Sequence, residues 1–289
     1  MENNKKYELL KEDTIKINDK TLYRIKALRS FSTVKKGDLG GYIEKEDNLS
    51  HEGNCWVYRE AKVFDNARVS GNAQVYDIAE VFDNVEVHGN ARVFGDAQVY
   101  NNAKVYDNAE VFDDAQVYGK ALVYSNAKVY DKAEVSEYAK VYDDAQVYDI
   151  AEVFGNAEVF GNAKVYDNTD VYNDAKVLGN AWVSGNAAVF GDAEVFGNIH
   201  GDARISNNAY IKSDDDYAVV QCFGSENRTT TFYLDKDRNI HVTCGCFKGT
   251  LEEFKSKVKE THGEDKYGEE YLAIADLMEM RFKNREEIK

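Results

Sequence analysis

The sequence predicts an all-β solenoid: a parallel β-helix of hexapeptide repeats, three per coil, with an N-terminal β cap and a small C-terminal α+β domain. Three observations predict it. Valine occupies all 24 sixth positions from Val57 to Val195, and alanine stands two residues before all but three, where Cys55, Val85 and Thr169 replace it. The position two after each valine is Gly, Asp or Asn in 21 of 24 units. The outward residue between Ala and Val pairs opposite charges best at a spacing of 18, as in Arg68/Glu86, Arg92/Glu110, Glu110/Lys128 and Lys176/Glu194. A fixed six-residue period is the signature of stacked β-helix coils, and directly opposed residues on neighbouring strands favour opposite charge.

Residues 1–53 lack the period and are expected to cap the open end of the rod, since an exposed strand edge invites pairing with other chains. Tyr7–Leu10 and Thr21–Leu28 read as short strands. The segment from Val34 to Ile43 contains Gly40-Gly41, which reads as a tight turn. Ile43 and Leu49 lie near the inward phase, and His51 falls in the valine phase as an atypical rung.

Residues 54–213 form the rod. In Ala-x-Val the first and third side chains point to one side of a strand, so a small and a β-branched residue face inward and the middle residue faces out. The Gly, Asp and Asn that follow tolerate left-handed backbone and make each unit a short strand and a corner. The core this builds is narrow and leaves no room for a ligand. Two residues are missing between Val195 and Ile199, after which Ile205 and Ile211 resume the period. The rod then has about nine coils and, at ~4.8 Å per coil, a length of about 43 Å.

The runs Leu22-Tyr-Arg-Ile-Lys-Ala-Leu28, Val34-Lys-Lys-Gly-Asp-Leu-Gly-Gly-Tyr-Ile43 and Asn48-Leu-Ser-His-Glu-Gly-Asn-Cys-Trp-Val57 resemble the start of YdcK-like hexapeptide-repeat proteins, found in bacteria and commonly in phages and prophages. The resemblance covers roughly residues 20–213. It implies a left-handed β-helix, an exception to the right-handed rule for parallel crossovers. The acetyltransferase label carried by such proteins comes largely from their fold, which does not by itself establish function.

Residues 214–289 change character after Asp214-Asp-Asp216. Tyr217–Phe223, Thr229–Leu234 and Ile240–Cys244 read as strands, with a hairpin turn from Asp235 to Asn239. Thr250 and Glu253 make a capping box for a helix to about Thr261, closed at His262-Gly263. A second helix from about Tyr267 to Phe282 places Tyr271, Ile274 and Leu277 on one face. This unit either caps the rod or is a recognition head.

The formal charge of −16 and the content of 25 acids and 13 bases in the rod disfavour direct contact with nucleic acid. Acids and bases are interleaved, at about half the density of a duplex carrying one charge per ~1.7 Å, which points to an ordinary solvated surface rather than a nucleic-acid mimic. No apolar run is long enough for a membrane span, and Met1–Lys20 is too polar for a signal peptide. Four cysteines make no disulfide framework for this length. A soluble cytoplasmic protein is expected, in a host cell's cytoplasm if phage-encoded. Hexapeptide acyltransferases need a histidine base and a donor-binding loop, yet the rod offers only His88 and His200 with no insertion. Cys222, His241, Cys244 and Cys246 lack the paired Cys-x-x-Cys spacing of strong zinc sites, although Cys244 and Cys246 would face one side of a strand. No catalytic, cofactor-binding or metal residue is therefore assigned, and no cofactor is expected.

The residue after each valine is Tyr or Phe in 19 of 24 units. At spacing 18 these form outward ladders, among them Tyr106, Tyr124, Tyr142 and Phe160, the candidate interaction ladder. Stacked rings stabilise neighbouring coils. An exposed apolar ridge can also bind a partner or another copy. The expected function is a non-catalytic rod-like interaction or scaffold protein of phage or prophage type, with a protein partner or a homo-oligomer. An acyl-coenzyme A-dependent acetyltransferase is the alternative.

Overall fold

A computed structural model of the chain describes residues 5–283. It is a parallel β-solenoid of about nine coils followed by a small domain with an antiparallel sheet and two helices. Each Ala-x-Val unit yields a two-residue strand, such as Lys104–Val105 or Glu110–Val111. These strands assemble into three parallel sheets along the rod. Partners are 18 residues apart, as in Arg92↔Glu110 and Lys104↔Glu86, so three units complete a coil.

The corners follow from residue type. Asp65, Asp107 and Asn173 have φ of 59°, 57° and 58°, the left-handed region their side chains tolerate. Asn54, Asn72, Asn90, Asn108, Asn126 and Asp144 form a column in which each asparagine donates its side-chain amide to the next, at 2.9–3.1 Å. Valines and alanines from Val57 to Val195 are buried, giving one continuous apolar core.

Register changes only at the ends. Val183 bridges Ile199, and Ala188 and Glu194 pair with Arg204 and Tyr210, so the shortened coil is absorbed without breaking the sheets. At the other end Ile43 pairs with Val63, and Leu49 with Val69, 20 residues apart. Leu49 therefore takes the inward position expected of His51. His51 lies half-buried in a two-residue expansion, stacked on Tyr7 at 4.4 Å.

The cap is an antiparallel pair, Tyr7–Ile17 with Lys20–Ala27, continued by Leu39–Ile43, which joins the first parallel coil. Gly40-Gly41 is not a turn. Both glycines lie inside the strand Leu39–Ile43, and a Cβ on Gly41 would sit 2.4 Å from the Ala61 carbonyl oxygen. Glycine is required there because the cap presses against the first coil.

The C-terminal sheet contains Tyr217–Phe223, Arg228–Leu234, Ile240–Cys244 and a fourth strand, Phe247–Thr250, in consecutive order. Helix α1 spans Leu251–His262 with the Thr250/Glu253 capping box, and α2 spans Lys266–Lys283. The sheet has two occupied faces. Tyr217 and Tyr233 join the rod's core, while Phe232, Leu234 and Val242 pack against Phe254 and Val258 of α1 and Ala275 of α2. Arg204 N–H donates to Thr231 Oγ1 at 2.9 Å, and the Ser206 and Tyr233 hydroxyls lie 2.8 Å apart. The domain thus covers the last coil.

Leu277 departs from expectation: it is exposed, and α2 buries Tyr271, Ala275, Met278 and Phe282 instead. Cys244 and Cys246 do not share a face either. Cys244 pairs with Phe247 around a two-residue turn, with Gly245 at φ 57°, which leaves Cys244 buried and Cys246 exposed.

Candidate interaction surface

The residue after each valine leaves the strand at a corner, where its ring can lie over the equivalent ring of the next coil. Tyr106 stacks on Tyr124, Tyr124 on Tyr142 and Tyr142 on Phe160, with centroids 4.9, 4.9 and 4.8 Å apart and planes within 5°. The structure therefore brings together all four residues of the candidate ladder. Their setting differs from a free apolar ridge. Each ring is half-buried, and the ring faces inside the ladder are covered by neighbours, so only edges meet solvent.

His88 extends the same ladder, stacked on Tyr106 at 5.0 Å. Two further ladders run along the other corners, for example Phe94–Phe112–Tyr130 and Phe154–Tyr172–Phe190. Burial raises the phenol pKa of Tyr106, Tyr124 and Tyr142 in the candidate ladder. For Tyr142 the Glu158 carboxylate adds to it, and the Tyr142 hydroxyl donates to Glu158 Oε2 at 3.1 Å. Tyr148 is pushed up to about 12 by burial and its neighbours. These phenols are neutral at physiological pH.

The outward strand residues mostly neutralise one another between coils. Lys62 pairs with Glu80 at 2.7 Å, Arg92 and Lys128 with Glu110 at 2.7 and 3.0 Å, and Lys140 with Glu158 at 2.8 Å. One face departs from this: Glu134, Glu152 and Asp170 follow one another directly. Burial and the two neighbouring carboxylates raise the pKa of Glu152.

The histidines considered for acyl transfer lie far apart along the rod. His88 belongs to an aromatic ladder near its start, whereas His200 lies in the shortened coil with Nδ1 3.2 Å from Ser184 Oγ. Of the cysteines, Cys244 Sγ accepts from the Thr230 hydroxyl at 3.0 Å, while Cys222 is exposed. His241 Nε2 lies 3.1 Å from Asp235 Oδ2. Among the described residues no group of three or more His, Cys, Asp or Glu side chains is arranged to hold a metal ion. No described helix is long and apolar enough to cross a membrane.

Two features escaped the sequence reading. Lys6 is fully buried in the cap, donating to the Cys55 carbonyl at 2.8 Å and lying 3.1 Å from Cys55 Sγ. Its position in an aperiodic segment gave no sign of burial. A concavity of about 660 Å³ lies between the Cys244–Phe247 turn and α1, lined by Arg228, Cys246, Phe254, Lys257 and Tyr271. It is formed by residues far apart in the chain.

A family described as YdcK Beta solenoid repeat matches residues 61–77. With the solenoid architecture, this makes the chain similar to YdcK-like repeat proteins. No curated protein matches.

Proposed function

We propose that this chain is a non-catalytic, rod-like interaction or scaffold protein of phage or prophage type that binds or sequesters a host protein in the cytoplasm. One observation carries the reading. The rod repeats the same aromatic and charged columns along three corners and three faces, while its interior is filled by valine and alanine side chains. Such a surface suits extended contact with another macromolecule better than enclosure of a small substrate. The Tyr106, Tyr124, Tyr142 and Phe160 edges are the proposed contact ladder, and the C-terminal domain, whose surface is not repetitive, supplies discrimination.

The test uses the full chain, since removing residues 214–289 would uncover the last coil. Affinity capture from the native host should retain a protein that is lost when Tyr106, Tyr124 and Tyr142 are replaced by leucine in a folded variant. Equal capture by both chains would remove the ladder from the proposal. Absence of any saturable protein partner would remove the function.

The Ser184–His200 contact favours the alternative, an acyl-coenzyme A-dependent acetyltransferase, because a histidine nitrogen within reach of a hydroxyl can serve as a base. Calorimetry with acetyl-coenzyme A should give no saturable heat. A signal abolished by His200→Ala would establish the acetyltransferase instead.

A further inference from the structure

One aromatic ladder is broken in its middle. It runs through Phe64, Phe82, Tyr100 and Tyr118, then meets Ser136, and resumes with Phe154, Tyr172 and Phe190. Tyr100 and Tyr118 are 4.9 Å apart and 4° from parallel, and Phe154 and Tyr172 are 4.9 Å apart and 2° from parallel. Tyr118 and Phe154 therefore stand two coil steps apart, each of ~4.8 Å, with one ring of the ladder missing between them. The coil itself is intact, since Ser136 N–H donates to the Val153 carbonyl at 2.9 Å. Tyr118 is held in place by its hydroxyl, which donates to Glu134 Oε2 at 2.9 Å. The serine is buried, and its hydroxyl lies within hydrogen-bond reach of the Tyr118 hydroxyl.

The same place carries unmatched negative charge. Glu134 precedes Ser136 and pairs in register with Glu152, which is followed by Asp170. Glu137 follows at the corner and is exposed. Its column neighbours, Gly119 and Gly155, have no side chains to cover it. No Lys or Arg lies within ion-pair distance of Glu137 or Glu152 among the described residues, in contrast to Glu80, Glu110 and Glu158 on the same rod. Lys120, on the same corner, is engaged with the Tyr138 hydroxyl at 3.1 Å and with its ring rather than with these carboxylates.

We propose that the break at Ser136 is a recognition notch for an arginine side chain of a basic partner protein, seated between Tyr118 and Phe154 with its edge toward Glu134 and Glu152. A guanidinium is the side-chain group that meets both demands, being planar, permanently charged, able to stack on ring faces and able to donate in a fork to carboxylates. A neutral aromatic ring would leave the carboxylates unmatched, and a lysine would leave the ring faces unfilled. The rod shows the same pairing of partners without the gap: beside the stacked rings of Tyr76 and Phe94, the Arg92 guanidinium lies 5.5 and 5.2 Å from their centroids while Nη1 contacts Glu110 Oε1 at 2.7 Å. The proposal rests on the protein-interaction reading above and gives it a site and a partner chemistry.

The experiment is calorimetric titration of the full chain with capped Gly-Arg-Gly, and with its lysine and tryptophan counterparts, at low ionic strength. The arginine peptide should bind saturably and more tightly than the lysine peptide. Ser136→Phe completes the ladder and should weaken arginine binding by about tenfold or more while leaving thermal stability equal or higher. Glu152→Lys, which leaves the rings untouched, should weaken it similarly and covers the case in which Ser136→Phe does not fold. No saturable arginine binding, equal binding of arginine and lysine peptides, or arginine binding unchanged in both variants overturns the notch. Preference for the tryptophan peptide overturns it in favour of a ring-binding gap. If the peptides fail while host-protein capture by the full chain succeeds, the notch falls and the interaction function stands.

Discussion

In the rod, one valine and, with few exceptions, one alanine per repeat fill the inward positions from Val57 to Val195, and each coil touches only the coils beside it. In the C-terminal domain a single strand serves two cores. Tyr233 faces the last coil and contacts Ser206 and Thr243, while its neighbour Phe232 faces the helices and packs on Phe254. The first design spreads stability over many equivalent contacts, as in other linear repeat architectures. The second concentrates it in residues used once. The contrast teaches that the rod tolerates variation in its outward residues but not in its inward ones, and that the domain couples the fate of the last coil to its own.

The largest effect should come from breaking the rod's interior. Val123→Asp places a carboxylate in an apolar core without a partner and should cost about 3–5 kcal/mol. Urea denaturation of the full chain measures it. Because neighbouring coils are equivalent, Val93→Asp should cost about the same. Stability like that of the parent would show that Val123 does not face inward.

The next effect distinguishes glycines that permit close packing from glycines that permit a corner. Gly41→Ala drives a Cβ into the Ala61 carbonyl oxygen and should cost about 3 kcal/mol. Gly179, at φ 69° with open space around its Cβ position, should accept asparagine at a cost below about 0.5 kcal/mol, as Asn173 shows at an equivalent corner. Thermal melts of the two variants test the difference.

These sites also show how far the sequence could be read. The inward face was legible because a side chain that recurs every six residues can satisfy only one side of a short strand. The coil size was legible because charges repeat at 18. The ends were harder. His51 keeps the valine spacing, yet the Tyr7 hydroxyl donates to the Leu49 carbonyl and Leu49 takes the rung, a choice made by packing between distant segments. Gly40-Gly41 commonly means a turn, and only the nearness of Ala61 reveals another use. In α2 the small Ala275 is buried while the larger Leu277 is exposed, because the helix face is set by the fit to α1 and the sheet. The aromatic ladder was visible as a spacing. That its ring faces are covered by one another required the geometry.

A smaller effect tests the ladders as structure. Tyr124→Ala removes the stacks on Tyr106 and Tyr142 and should cost about 1–3 kcal/mol, whereas Tyr124→Phe keeps the rings and should be close to neutral. Denaturation of both variants separates ring stacking from hydroxyl contacts. A neutral Tyr124→Ala would leave the ladder with no stabilising role and shift its meaning toward binding alone.

The smallest effect sets the two regions against each other in acid. In the domain, Glu279 is held at about 2 by hydrogen bonds from Lys255 and Lys283, and Lys255 also contacts Asp276 at 2.9 Å, tying α1 to α2. A depressed carboxyl pKa contributes stability above its unfolded value, near 4.3, and that contribution disappears as pH falls toward 2. On the rod, burial and the neighbouring carboxylates Asp170 and Glu134 raise the pKa of Glu152. Its ionised form opposes folding, and that penalty is relieved as pH falls through its raised folded-state pKa and the ordinary carboxylate range. Glu279→Gln should therefore destabilise the helices at neutral pH and Glu152→Gln should stabilise the rod, each by less than about 1 kcal/mol because the groups are partly solvated. Both differences should vanish in strong acid. Helical circular dichroism follows the domain, since both α-helices lie there, and tyrosine absorbance during urea unfolding follows mainly the ladders. Changes of the same sign in the two variants would mean that the Glu134–Glu152–Asp170 run is not under electrostatic stress, and would remove the unmatched charge on which the arginine notch depends.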